Sequence, residues 1–298
     1  MRRTLPVLLV TALGCGGGGS APDAPPDAPE CNALGTCVWL DDFQRRIVSD
    51  LAGETEVAPG VRLLHRQSVA ERDSARTYLT DELTALGYTP TRHGYPTGGN
   101  VVAMLDSTTG GTDLIVVGAH FDGVAAGPGA ADNATGVAIV LAAARFLRDM
   151  PVRQHPIAFV LFDQEEIGLV GSKAYAQSLV TAQTQVRGAH VFDMLSFDGD
   201  NDHAVELWSA SPVLEALYQA HGSAAGTPIQ PVTFKLSDHQ AFLDAGFPAV
   251  GIGEEFVAND HTPHYHKATD TFAQVSFAHL AIVTHLALAV LETDVAAP

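Results

Sequence analysis

Basic residues are scarce in this sequence: 16 Lys and Arg stand against 34 Asp and Glu, a formal net charge of −18 over 298 residues. No Lys/Arg-rich block occurs, so the positive footprint that binds nucleic-acid phosphates is missing and nucleic acid is excluded as a partner. The apolar run at the N-terminus, Leu5 to Leu13, is about nine residues long, far short of the roughly 20 that span a bilayer. Cysteine is limited to Cys15, Cys31 and Cys37. A zinc knuckle needs four ligands, and the last two of these cysteines have no further pair nearby.

What is present describes a globular, exported chain. A hydrophobic fraction of 46% and a charged fraction of 17% are globular values, and the length suffices for one large, well-buried α/β domain. Arg2 and Arg3, the short apolar run and the small residues before Cys15 read as a targeting segment covering 1–14. The pattern resembles a bacterial lipoprotein signal with Cys15 as the lipidated residue, although Ala12 stands where Leu is usual. Ordinary secretion is the alternative. Next comes the Gly-then-Pro/Ala/Asp stretch GGGGSAPDAPPDAPE, which has nothing to bury and reads as a disordered tether. The tether region is assigned to 15–37, with Cys31 and Cys37 expected to close a small disulfide loop in an oxidising compartment. The remaining 38–298 form one domain with no repeat and no second linker.

Within that domain helical patterns cover Asp41–Ala52, Ser68–Leu86, Gly136–Arg148, Ser172–Ser178, Ser211–Ala225 and Ser276–Leu291. Short apolar runs of β-branched character lie between them: Asn100–Leu105, Leu114–Val117, Ile157–Phe162, His190–Phe192 and Ala249–Ile252. Apolar strands alternating with helices predict an α/β fold with a central, mostly parallel mixed sheet flanked by helices on both faces. Chemistry in such sheets gathers beyond the carboxyl ends of the strands.

Acidic and imidazole side chains recur at those ends. His120 and Asp122 follow the run Leu114–Gly118 and point to the same side of an extended segment. By itself this His-x-Asp reads more simply as a structural pair than as a ligand with its orienting partner. Asp132, in Gly129–Gly136, opens an apolar helix, where an ordinary N-cap is the plainer account. Glu165 and Glu166 follow the strand 157–162. Adjacent glutamates at a strand end point apart, so one can bind a metal while the other manages the proton of a water, and a solvated acidic turn is an equal alternative. Asp193 ends another apolar run, and His264 and His266 precede the last helix. Taken together, five such fragments at one sheet edge supply the mixed O/N donor set of a catalytic zinc pair.

These motifs resemble the zinc aminopeptidases of peptidase family M28 over residues of about 60–295. The resemblance rests on Gly118-Ala119-His120-Phe121-Asp122, Gly129 to Gly136, Glu165-Glu166-Ile167-Gly168 through Ser172, Ser237-Asp238-His239 and His266…Asp270-Thr271. It implies a zinc-exopeptidase fold and two zinc ions per chain. One would be held by His120 and Asp193, the other by Glu166 and His266, with Asp132 bridging. Glu165 would be the general base, Asp122 a partner behind His120, and Asp238 part of the supporting shell. A cis Asp132–Asn133 bond is also implied. The implied activity is release of N-terminal residues from peptides with a free amine, in an exported protein whose membrane contact runs only through a lipid on Cys15.

Other features rank lower. Asp198–Asp202 resembles the start of a calcium loop but has His203 and Ser209 where Gly and Glu belong, so a turn is expected. Ser237-Asp238-His239 cannot form a triad by adjacency alone. His155, His203, His221, His279 and His285 are expected to be ordinary surface or packed residues, and Phe256 and Tyr265 line either pocket or core. The competing functions are a one-zinc glutaminyl cyclase, a carboxypeptidase or dipeptidase on the same scaffold, and a non-catalytic binding module.

Overall fold

Eight strands hydrogen-bond in the order β1-β2-β4-β3-β5-β8-β6-β7 in a computed structural model, which describes residues 37–298. The central strands are β3 (Leu114–His120), β4 (Ile157–Phe162), β5 (Val186–Asp193) and β8 (Ala249–Gly253), all mutually parallel through β4-β3-β5-β8. β2 (Gly98–Leu105) runs antiparallel to β4 and carries β1 (Thr91–Tyr95) on its outer side. On the other flank β6 (Val205–Trp208) runs antiparallel to β8 and pairs in parallel with β7 (Ile229–Val232). The mixed, mostly parallel sheet is the one anticipated, and β4 has the anticipated limits.

Helices cover both faces, as the fully buried residues of β3 and β4 require. One face holds α1 (Leu40–Leu51), α3 (Thr135–Arg148) and α7 (Phe277–Ala296), which share a core cluster with Val117, Phe159 and Ile252. The opposite face packs α4 (Val170–Thr181) and α6 (His239–Asp244) on Val116, Val160 and Val191. α2 (Val69–Ala85) and α5 (Pro212–Ala225) complete the set. Ser68 starts α2 through a reciprocal capping box with Glu71. Both α7 and the stretch Ala130–Arg148 are apolar and long enough to cross a membrane by composition, and much of each is buried in the fold.

The targeting segment, Cys15, the tether and Cys31 lie outside the described residues. Cys37 is disulfide-bonded and buried at the edge of the core.

Candidate active site

Three of the central strands, β3, β4 and β5, deliver polar groups to the same edge, β4 through the turn that follows it. His120 is the last residue of β3 and is buried. Its Nδ1–H donates to the carbonyl of Asp122 at 3.2 Å, with the Asp122 carboxylate at 3.6 Å, which turns Nε2 into the site. The same carboxylate also holds the turn after β4, where Oδ1 accepts the backbone N–H of Glu165 at 2.9 Å and Oδ2 that of Glu166 at 3.3 Å. Asp193 ends β5, with Oδ1 3.4 Å from His120 Nε2.

Asp132 enters from above the sheet. The plainer account of Asp132 as a helix cap fails, because the side chain that accepts from the first turn of α3 is Asn133, whose Oδ1 takes the Gly136 N–H at 2.9 Å. Instead the two carboxylate oxygens of Asp132 diverge, Oδ1 lying 3.3 Å from His120 Nε2 and Oδ2 3.2 Å from His266 Nε2. The backbone turn that holds it has a cis Asp132–Asn133 bond, as the resemblance implied. Asn133 pins this turn to the end of β5, donating to Phe192 O at 2.9 Å and accepting from Met194 N at 3.2 Å. Gly136 is required beside it, since a Cβ there would strike both the Asn133 amide and the Phe192 carbonyl.

Glu166 completes the second group, with Oε2 2.9 Å from His266 Nε2 and a side chain only 6% exposed, so a solvated turn does not describe it. His266 comes from the loop before α7 and stacks on Tyr265 at 3.8 Å. The donor atoms therefore fall into two groups that share Asp132: His120 with Asp193, and His266 with Glu166. Asp193 Oδ1 and Glu166 Oε1 are buried and lack hydrogen-bond partners among the described residues. Crowded carboxylates set the imidazoles accordingly. Hydrogen bonds to Asp132 and Glu166 push His266 up to about 10, and His120 is raised by Asp193 and Glu165 although burial opposes it. Such an arrangement favours positive charge, and its imidazole–carboxylate chemistry fits zinc-type cations.

Glu165 lies in the cleft beside these groups but bonds to neither imidazole. Burial pushes its carboxyl well above the usual range, with Asp238, Asp193 and Glu166 adding to the rise and His120 opposing it. Asp238, just before α6, is fully buried, and burial raises it to about 7. His239 hydrogen-bonds to Phe234 O at 2.9 Å, and the Ser237 hydroxyl has no partner among the described residues, so no serine triad is assembled.

The other residues that line the cleft are apolar or aromatic: Met194, Trp208, Phe234, Leu236, Phe256 and Tyr265. Trp208 and Phe234 approach to 4.5 Å, and Phe256 meets Tyr265 edge-on at 5.2 Å. Tyr265 and Phe256 are thus pocket residues. Trp208, Phe234 and Leu236 went unrecognised in the sequence because no local motif marks them.

Two further supports were missed. Asp270 accepts the backbone N–H groups of Ala131 at 2.7 Å and Asp132 at 3.1 Å, anchoring the backbone that carries Asp132. Arg66, fully buried, donates to Phe121 O at 2.7 Å and Gly129 O at 2.9 Å, fastening the segments that carry His120 and Asp132. Asp270 was visible as a motif residue without a role, and Arg66 carried no signal at all.

A parallel-centred sheet thus carries two carboxylate–imidazole groups at its carboxyl edge, the architecture of an α/β metal-site protein. The pattern of peptidase family M28 matches residues 100–291, and the chain belongs to that family. It is 30% identical over 214 residues to the probable lipoprotein aminopeptidase LpqL of Mycobacterium tuberculosis, covering 61% of this chain and 43% of that protein. The chain thus spans less than half the length of the curated relatives it matches. Its fold is shared with the Legionella pneumophila LapA aminopeptidase (TM-score 0.76, 21% identity, covering 87% of this chain and 70% of that one). A glutaminyl cyclase of Porphyromonas gingivalis also shares it (TM-score 0.66, 18% identity, 85% and 97%), so the fold alone does not select the reaction.

Proposed function

We propose that this chain is an exported two-zinc aminopeptidase that removes apolar residues from the N-termini of peptides. The observation that carries the reading is the division of Asp132, one oxygen toward His120 and the other toward His266. His120 and Asp193 would hold one zinc, Glu166 and His266 the other, and Asp132 both. Bound there, the metals would polarise the scissile carbonyl and lower the pKa of water at neutral pH.

The chain's own groups account for the rest. Glu165 is held by Asp122 through its backbone N–H, so its carboxyl stays in the cleft without being drawn into an ion pair with His266. A carboxylate in that place can take a proton from water and return it to the leaving amine. The acidic end of the cleft favours a free α-amine, and the wall of Trp208, Phe234 and Phe256 favours an apolar first side chain. Export with a lipid on Cys15 belongs to the same proposal, supported by Arg2, Arg3 and the apolar run before it, and by the lipoprotein in the name of the mycobacterial relative.

Turnover on matched peptides tests the reading. Release of the first residue from free-amine peptides, absent with N-acetylated ones and abolished by chelator, is expected. Cleavage at the carboxyl end would reassign the substrate class, and ammonia release from N-terminal Gln would point to cyclisation.

A further inference from the structure

Away from the cleft, the loop between β5 and β6 meets the first turn of α7. Asp198, His203 and His279 converge there, and one donor atom from each lies within 4.8 Å of the others. Asp198 Oδ2 is 2.6 Å from His203 Nδ1 and 3.7 Å from His279 Nδ1. The Asp198 side chain is 6% exposed, whereas that of His203 is 47% exposed and leaves the cluster open to solvent on one side.

A hydrogen-bonded Asp198–His203 pair would explain two of these residues and leave the third unaccounted for. His279 is 2% exposed, and neither of its ring nitrogens has a hydrogen-bond partner among the described residues. A buried imidazole left unsatisfied bears the full cost of its lost hydration, so its orientation toward Asp198 calls for a ligand. A zinc ion with bonds of about 2.0–2.1 Å spaces tetrahedral ligands by about 3.3 Å. The 3.7 Å between Asp198 and His279 lies near that spacing, and the 2.6 Å hydrogen bond between Asp198 and His203 would give way to the ion. Imidazole donors select a transition metal over calcium. Asp200, Asp202, Glu255 and Asp260 crowd the same loop and add negative potential, but as carboxylates alone they define no site.

We propose that Asp198, His203 and His279 bind one structural zinc-type ion, with a water in the open position on the side of His203. The ion would clamp the loop that follows Asp193 to the start of α7, beside the existing bond from Ser276 N to Ser196 O at 2.9 Å. The sequence marks His203 and His279 as ordinary surface or packed residues, because His279 is far along the chain from the loop that it meets.

Zinc content after equilibrium dialysis tests this separately from the catalytic pair. His203→Ala changes an exposed side chain, and it is expected to lose one zinc equivalent while keeping wild-type turnover. Asp132→Ala is expected to retain that same equivalent and to gain thermal stability on adding zinc. Equal zinc content in wild type and His203→Ala would overturn the proposal. So would uptake of calcium but not zinc at this loop in competition dialysis. These comparisons do not depend on whether the peptide-cleaving reading holds.

Discussion

The Asp122 carboxylate accepts the backbone N–H of Glu165 at 2.9 Å, joining the end of β3 to the turn after β4. Its other oxygen accepts from Glu166, and its carbonyl orients His120. One acidic residue thereby positions Glu165 and one residue of each carboxylate–imidazole group. Asp122→Ala is expected to lower activity by about 10–100-fold, with Glu165 and Glu166 less ordered. Activity within twofold of wild type would contradict this positioning role.

Glu165→Gln preserves shape and removes the carboxylate proposed to accept the proton. Turnover should fall by about 10²–10⁴-fold, while metal content stays at the wild-type level. A variant that turns over normally would remove Glu165 from the reaction.

Phe234 packs on Trp208 at 4.5 Å in the apolar wall. Truncating it to Ala should reduce kcat/KM for a leucyl substrate about tenfold relative to an alanyl one. An unchanged ratio would place the first side chain of the substrate elsewhere.

Asp294 on α7 ties the helix to β5, bonding Arg187 Nε at 2.7 Å and His190 Nε2 at 3.1 Å. Burial alone would raise its pKa, but hydrogen bonds from His190 and Arg187 outweigh burial and lower it from 3.8 to about 2. A depressed carboxyl contributes stability above its unfolded pKa and loses it as pH falls toward the folded one. In metal-free protein, Asp294→Asn should therefore cost about 2 kcal/mol at pH 7 and roughly half that at pH 3. Urea unfolding at the two pH values measures the difference. A cost that grew on acidification would have the wrong sign.

Legibility in the sequence followed burial and locality. β4 was readable to the residue because Ile157–Phe162 is a continuous apolar run, buried throughout. β1 (TRHGY) and β7 (IQPV) escaped because they are half-exposed edge strands, the latter containing Pro231. β6 was hidden by Glu206, a buried carboxylate whose partners Trp208, Val257 and Ala258 are unrelated to strand periodicity. In the candidate site, His120, Asp132, Glu165, Glu166 and Asp193 were legible as polar groups at strand ends or a helix start. Pairing them into two groups drew on the family resemblance. Arg66 and Asp270 work through contacts made only by the folded chain, so their importance has no local signature.

Metal content of wild type against Asp132→Ala tests the central claim most directly. If Asp132 serves both donor groups, the variant should lose about two zinc equivalents together, along with all chelator-sensitive turnover. Loss of no more than one equivalent, or none, would contradict a shared carboxylate between His120 and His266.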